Sequence, residues 1–205
     1  MSQETWEILC EMEADDVELQ LALQCAPLIT GLKISNLLTI SPEGFTQVGR
    51  IVEGSVLSLY PLLETEEKMV ILLYREDRLE KYLKMPQVKK LLREAGYESD
   101  RLEDILPVFC DRYETYTERG KPFPHELGLL LGYPPEDVIG FIENNGKNFL
   151  YIGYWKVYSD LTECKRIFKA YSLAREHIIH MVSRGMKIDA ILRIHNLNQY
   201  KSMTR

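Results

Sequence analysis

The run "KMVILLYR", ending at Arg75, constrains this chain more than any other stretch. Met69 to Tyr74 are continuously apolar with no polar alternation, the pattern of a strand covered on both faces. It passes without a linker into "EDRLEKYLKMPQVKKLLREAGY", where Pro86 divides two short helices and Gly96 suits a C-terminal cap. A strand hidden on both sides and followed at once by helices calls for a sheet with helical layers around it. "GLKISNLLTI" supplies a second strand, bounded by Gly31 and by the Ser41–Pro42 pair. That pair predicts a helix start, with the helix continuing toward Leu59. A third and longer strand is predicted in "NFLYIGYWKVY", aromatic and β-branched, and interior because bulky groups alternate onto both of its faces.

The rest reads as helix. "WEILCEMEADDVELQLALQCA" predicts a first helix limited by Pro27, and "LEDILPVFCDRYETY" another that Pro107 kinks or starts. "HELGLLL", stopped by Gly132, and "PPEDV", running to "ENNG", give two short ones. Asp160 and Glu163 open a helix whose Ile167, Tyr171, Ala174, Ile178 and Met181 share one stripe, and "KIDAILRIHNL" closes the chain. About three strands among roughly seven or more helices make an α+β protein with a small mixed sheet and a helical C-terminus.

At 205 residues, 45% hydrophobic and 27% charged, the chain fits one globular domain over residues 1–205. The acidic start "MSQETWEILCEMEADD" lacks the basic region of a secretory signal, and no apolar run approaches the roughly 20 residues that span a bilayer. The expectation is a soluble cytoplasmic protein with no membrane role, and its four cysteines, which form no CxxC pair, are expected reduced. The net charge of −6 is uneven: from Leu161 onward nine basic residues face three acids. Residues 160–205 therefore form a basic helical segment, packed on its own acidic body or presented to an anionic partner.

Known chemical motifs are mostly excluded. His125 and Glu126 resemble half of a zinc-protease signature, but Leu129 stands where the second histidine belongs. The pair reads either as a helix start or as a ligand and proton-transfer pair. His177 and His180 have no third ligand at a firm spacing, so no metal site is predicted. Phosphate loops and serine elbows are absent. The helix-turn-helix cadence of "ELGLLLGYPPEDVIGFIENN" carries Glu136, Asp137 and Glu143 where DNA phosphates would lie, which excludes nucleic acid. Cys25 is either a small buried residue or, with Lys33 nearby, a reactive thiol. Lys33, Tyr74, Arg75, Tyr154, Lys156 and Tyr158 sit in strands that otherwise read as buried. A buried cation needs a partner, supplied by the protein's own acids or by an anionic ligand held by Lys33, Arg75 and Lys156, with the tyrosines as donors.

Three blocks carry a family resemblance: "CAPLITGLKISNLL", "VILLYREDRLEKYL" followed by "GY", and "FPHELGLLLGYPPEDVIGFIENNGKNFLYIGYWKVYSD". On these the chain resembles an uncharacterised bacterial family catalogued as domain of unknown function 3793, nearly end to end. Leu28 and Ile29 depart from the family's Thr-Leu pair. The resemblance implies a soluble bacterial protein, accessory to anaerobic redox or iron metabolism, and names no reaction or cofactor. It marks Cys25, Pro27, Gly31, Lys33, Tyr74 and Arg75, then His125, Glu126, Gly132, Tyr133, Pro134 and Asp137, then Gly153, Tyr154, Trp155, Lys156 and Tyr158. The leading expectation is a cleft collecting Lys33, Arg75, His125, Tyr154 and Lys156 around a small anionic metabolite or cofactor, with His125 and Glu126 moving a proton if there is a reaction. Two alternatives stay open: an adaptor whose Lys165, Arg166 and Lys169 dock on an acidic flavodoxin-like protein, and an enzyme dependent on Cys25.

Overall fold

The computed structural model describes residues 2–13, 16–119 and 122–203, with side chains through Asn196 except at 118–119. Lys201 and Arg205 of the basic tail lie outside the described side chains. The chain is α+β, and it divides into two compact units: Met1–Arg75 with Ala170–Arg205, and Glu76–Lys169.

The first unit is built on a three-stranded sheet of β1 (Ser35–Ile40), β2 (Ser58–Glu64) and β3 (Met69–Tyr74) in the order β1-β3-β2. Both pairings are antiparallel, so the sheet is not mixed. The apolar run takes the centre, as its covered faces require, and all six β3 residues are buried. The sequence extends the helix after Pro42 to Leu59, whereas α3 stops at Val52 and β2 follows. Gly54 at φ +69° makes the turn, a left-handed conformation that glycine adopts freely. Pro61, which weakens a strand reading, sits where the β2 register shifts.

The stretch read as one N-terminal helix forms two, α1 (Gln3–Glu11) and α2 (Val17–Ile29). Each carries its own side-chain cap: Ser2 accepts from Thr5 N, and Asp16 accepts from Glu18 N. Pro27 falls inside the last turn of α2 rather than ending it. Beyond it Gly31 (φ +76°) reverses the chain, and Lys33 N donates back to Pro27 O over 2.9 Å. Leu21, Ala22 and Cys25 of α2 pack with Leu38, Ile71 and Leu73 of the sheet and with Ile178 and Ile191 from the C-terminal helices in one apolar core.

The second unit contains α4 (Glu76–Leu83), α5 (Pro86–Glu94), α6 (Leu102–Arg119), α7 (Leu127–Leu130) and α8 (Pro135–Glu143). Gly132 (φ +69°) separates the last two, and Pro135 stands at the first helical position of α8. The expected long interior strand is not formed. In its place β4 (Tyr151–Ile152) and β5 (Lys156–Val157) pair as a short hairpin, and both β4 residues are exposed. Helix α9 (Leu161–Ser183) begins in this unit, with Asp160 Oδ1 capping Glu163 N at 2.9 Å, and α10 (Ile188–Met203) ends the chain.

Candidate functional site

A cavity of about 240 Å³ lies within the second unit, lined by α7, α8 and the hairpin. Its wall is mostly apolar, with Phe123, Tyr133, Phe141 and Trp155 supplying rings. Tyr133 stacks on Trp155 at 4.9 Å, and Trp155 meets Phe168 edge-on at 4.5 Å. On the other side the His125 ring lies 5.4 Å from Phe141 and 5.7 Å from Phe123. Helical spacing explains the α8 contribution, because Val138 and Phe141 are three residues apart and share a face.

Besides Asp137, whose oxygens are fully engaged, two polar side chains interrupt this wall. His125 Nδ1 is buried and has no hydrogen-bond partner among the described residues, a state that costs roughly 1–3 kcal/mol for a polar atom. Lys156 Nζ donates to Gly146 O at 2.7 Å and lies 5.5 Å and 5.1 Å from the Phe141 and Phe149 ring centroids. Among the described residues no carboxylate comes within ion-pair distance of it. An ammonium has three N–H donors, so two remain for something else. The Tyr133 phenol, pushed up to about 12 by burial, keeps its proton and donates to Tyr154 O at 3.4 Å.

Asp137 holds the back of the cavity together. At 2% exposure it accepts from Trp155 Nε1 (2.7 Å), Tyr158 N (2.8 Å), Ser159 N (2.9 Å), Ser159 Oγ (2.7 Å) and Cys164 Sγ (3.6 Å). Five donors replace the water around this carboxylate, which fixes α8 against residues 155–164. Burial and then Asp137 push the Cys164 thiol up to about 12, so it stays a donor.

The histidine and glutamate of the sequence motif part company. Glu126 is buried and accepts from Tyr97 OH (3.0 Å) and Arg112 Nη1 (2.8 Å). Arg112 also bonds Ala95 O at 2.8 Å and lies over the Tyr97 ring. Glu126 thus joins α6 and the turn after α5 to the start of α7, while His125 alone of the two faces the cavity.

Of the five residues expected to share a cleft, His125 and Lys156 line this cavity, whereas Tyr154 does not. Lys33 and Arg75 belong to the first unit. Arg75 donates through Nε and Nη2 to Leu28 O (3.3 and 3.1 Å) and through Nη2 to Ile29 O (3.3 Å), satisfying carbonyls left open at the end of α2. The Thr-Leu departure therefore falls at positions engaged through their backbones. Tyr74 is buried at the end of β3.

Lys33 Nζ donates to Asn36 Oδ1 at 2.6 Å, and Asn36 Nδ2 reaches Cys25 Sγ at 3.8 Å. Burial lowers Lys33 to about 8, and Cys25, at 0% exposure, is pushed up to about 12, burial outweighing the lysine's opposing effect. An activated cysteine shows the reverse shift and some exposure. The CAP–GxK block is thus a sealed end of α2.

Phe123 and Phe141 were missed as wall residues by sequence reading, although the i, i+3 spacing of Val138 and Phe141 marked a common face. Among the described residues no three His, Cys, Asp or Glu side chains gather as a metal site would. His180 Nε2 lies 3.3 Å from Thr5 Oγ1, and the His177 ring 6.4 Å from that of His195.

A family model described as "Protein of unknown function (DUF3793)" matches residues 21–192. No curated protein and no solved structure matches the chain.

Proposed function

For this chain, which belongs to the family described as Protein of unknown function (DUF3793), we propose that the cavity of residues 76–169 binds a small ligand with a flat apolar body and one anionic group. The observation that carries the reading is a pair of polar groups in an apolar wall: Lys156, bonded only to Gly146 O and with no carboxylate among the described residues, and the orphan His125 Nδ1. The half-buried ammonium keeps two donors after its bond to Gly146 O and favours an anion, and a hydrogen-bond donor on the ligand would satisfy Nδ1. The volume of about 240 Å³ falls below the roughly 300–1,000 Å³ of drug-sized pockets, which suits a single ring system, with octanoate as the non-planar comparison in the test. A cytoplasmic bacterial setting and an accessory part in anaerobic redox or iron chemistry belong to the same proposal and rest on the family resemblance.

The test is calorimetry with paired probes: benzoate, 4-hydroxyphenylacetate and octanoate against their neutral amides. The acids are expected to bind at least about tenfold more tightly, the scale of a charge-assisted hydrogen bond. Lys156→Met is expected to erase that difference while leaving amide binding in place. Equal binding of acids and amides, or no binding of either, would overturn the reading.

A further inference from the structure

The segment expected to be an interior strand exposes four consecutive apolar side chains. Phe149, Leu150, Tyr151 and Ile152 are 38, 57, 42 and 58% exposed. The two strand residues Tyr151 and Ile152 point to opposite sides, and with the exposed Phe149 and Leu150 before them the segment presents apolar surface to solvent on more than one side. A globular partner presents one surface and covers one face of such a hairpin. A fluid apolar medium takes both at once.

Lysines surround these side chains. Lys147 precedes Phe149, Lys156 Nζ lies 5.1 Å from the Phe149 centroid, and Lys165 Nζ lies 5.3 Å from that of Tyr151. Lys169 follows Lys165 by one turn of α9 and shares its face. From Lys147 to Lys169 the sequence has five cations against two acids, and one of those acids, Glu163, is taken by Arg166. Among the described residues none of the four lysines is ion-paired. Apolar side chains ringed by ammonium groups match the boundary between acyl chains and anionic headgroups.

We infer that the exposed 149–152 segment leading into the hairpin docks the protein on an anionic lipid surface, its apolar side chains entering the acyl boundary and Lys147, Lys165 and Lys169 meeting phosphates. No described helix is long and apolar enough to cross a membrane, and surface attachment needs none. The inference stands on the exposed hairpin and its lysines and does not require the cavity to hold a ligand.

Co-sedimentation of the full chain tests it, with vesicles of equal parts phosphatidylcholine and phosphatidylglycerol beside vesicles of phosphatidylcholine alone. Retention is expected on the anionic vesicles only and is expected to weaken as salt rises. Leu150→Asp with Ile152→Asp should lower it at least about tenfold. Lys165→Gln with Lys169→Gln should lower it about 25-fold, at roughly fivefold per lysine. All four positions are exposed, and an unchanged far-ultraviolet circular dichroism spectrum verifies the fold. No retention, equal retention on both vesicles, or retention indifferent to both variants overturns the inference. Salt-sensitive capture on immobilised polyglutamate without vesicle binding also overturns it, and assigns the surface to an acidic protein.

Discussion

The indole N–H of Trp155 donates to Asp137 Oδ2 over 2.7 Å, and both side chains are buried. That bond fixes the ring that forms much of the cavity wall, and the same carboxylate takes the backbone N–H of Tyr158 and Ser159. The hairpin is short, so the shape of the site depends more on Asp137 than on the β4–β5 ladder.

Asp137→Ala is therefore expected to cost about 3 kcal/mol or more, because several buried donors lose their acceptor together and each stranded group costs roughly 1–3 kcal/mol. Asp137→Asn should recover only part of this, since its NH₂ faces donors on one side. Urea unfolding in a Trp6→Phe background isolates the Trp155 fluorescence that reports the site. A midpoint unchanged from the parent would remove Asp137 from this role.

Two glycines allow close packing that no other residue permits. A Cβ at Gly140 would lie 2.4 Å from Tyr158 Cβ, and one at Gly153 would lie 2.3 Å from Phe168 Cε2. Gly140→Ala is expected to destabilise by about 1–3 kcal/mol, since a Cβ next to the backbone cannot swing away. Gly49 in α3 meets nothing within 4 Å, and Gly49→Ala should stabilise by about 1 kcal/mol. Thermal unfolding of the two variants should move in opposite directions.

Thiol labelling of the native protein should be selective. Cys10 is exposed and should react first, while Cys25 and Cys164 are buried with thiols raised to about 12. Cys110 is half-buried and raised by burial and by Glu114, which places it between. Mass-resolved alkylation checks the order. Rapid labelling of Cys25 would revive the thiol-enzyme reading.

Lys33 gives the protein a pH dependence of definite sign. Its folded value of about 8 lies below the ordinary lysine value, so between about 8 and 10.4 the unfolded chain binds more protons and stability rises with pH. The penalty is present in full below 8. Above about 9 Cys25, held at about 12, acts the opposite way. Lys33→Met should gain about 1–2 kcal/mol at neutral pH, the relieved desolvation less the bond to Asn36, and should flatten the rise above pH 8. Urea midpoints across that range measure both effects.

Local chemistry made much of this chain legible. The unbroken apolar run from Met69 to Tyr74 fixed a central strand, because only a position between two partners hides every residue. Pro86, Gly96, Gly132 and Pro135 punctuated the helices correctly, since the left-handed turn and the first helical position restrict residue type wherever they occur. Lys156 was legible as a polar group in an apolar stretch, as were Lys33 and Arg75, and His125 as either a helix start or a ligand. Phe149 to Ile152 misled, because the same alternation of bulky side chains describes a strand buried on both faces and a hairpin exposed on both. Strand β2 was hidden by Pro61, which weakens a strand reading, and by the strong helix start at Ser41–Pro42, from which the helix was carried too far.

Sequence by itself determined the α+β class, the central strand and most helix ends, all of which follow from the conformational limits and burial preferences of residues near one another in the chain. Tertiary structure alone decided that Asp137 binds Trp155, that Glu126 turns to Arg112 while His125 faces the cavity, and that Arg75 closes α2. Those outcomes depend on which donors and acceptors, 14 to 47 residues apart, reach hydrogen-bonding distance once apolar burial has set the backbone, and local residue preferences contain no term for that distance.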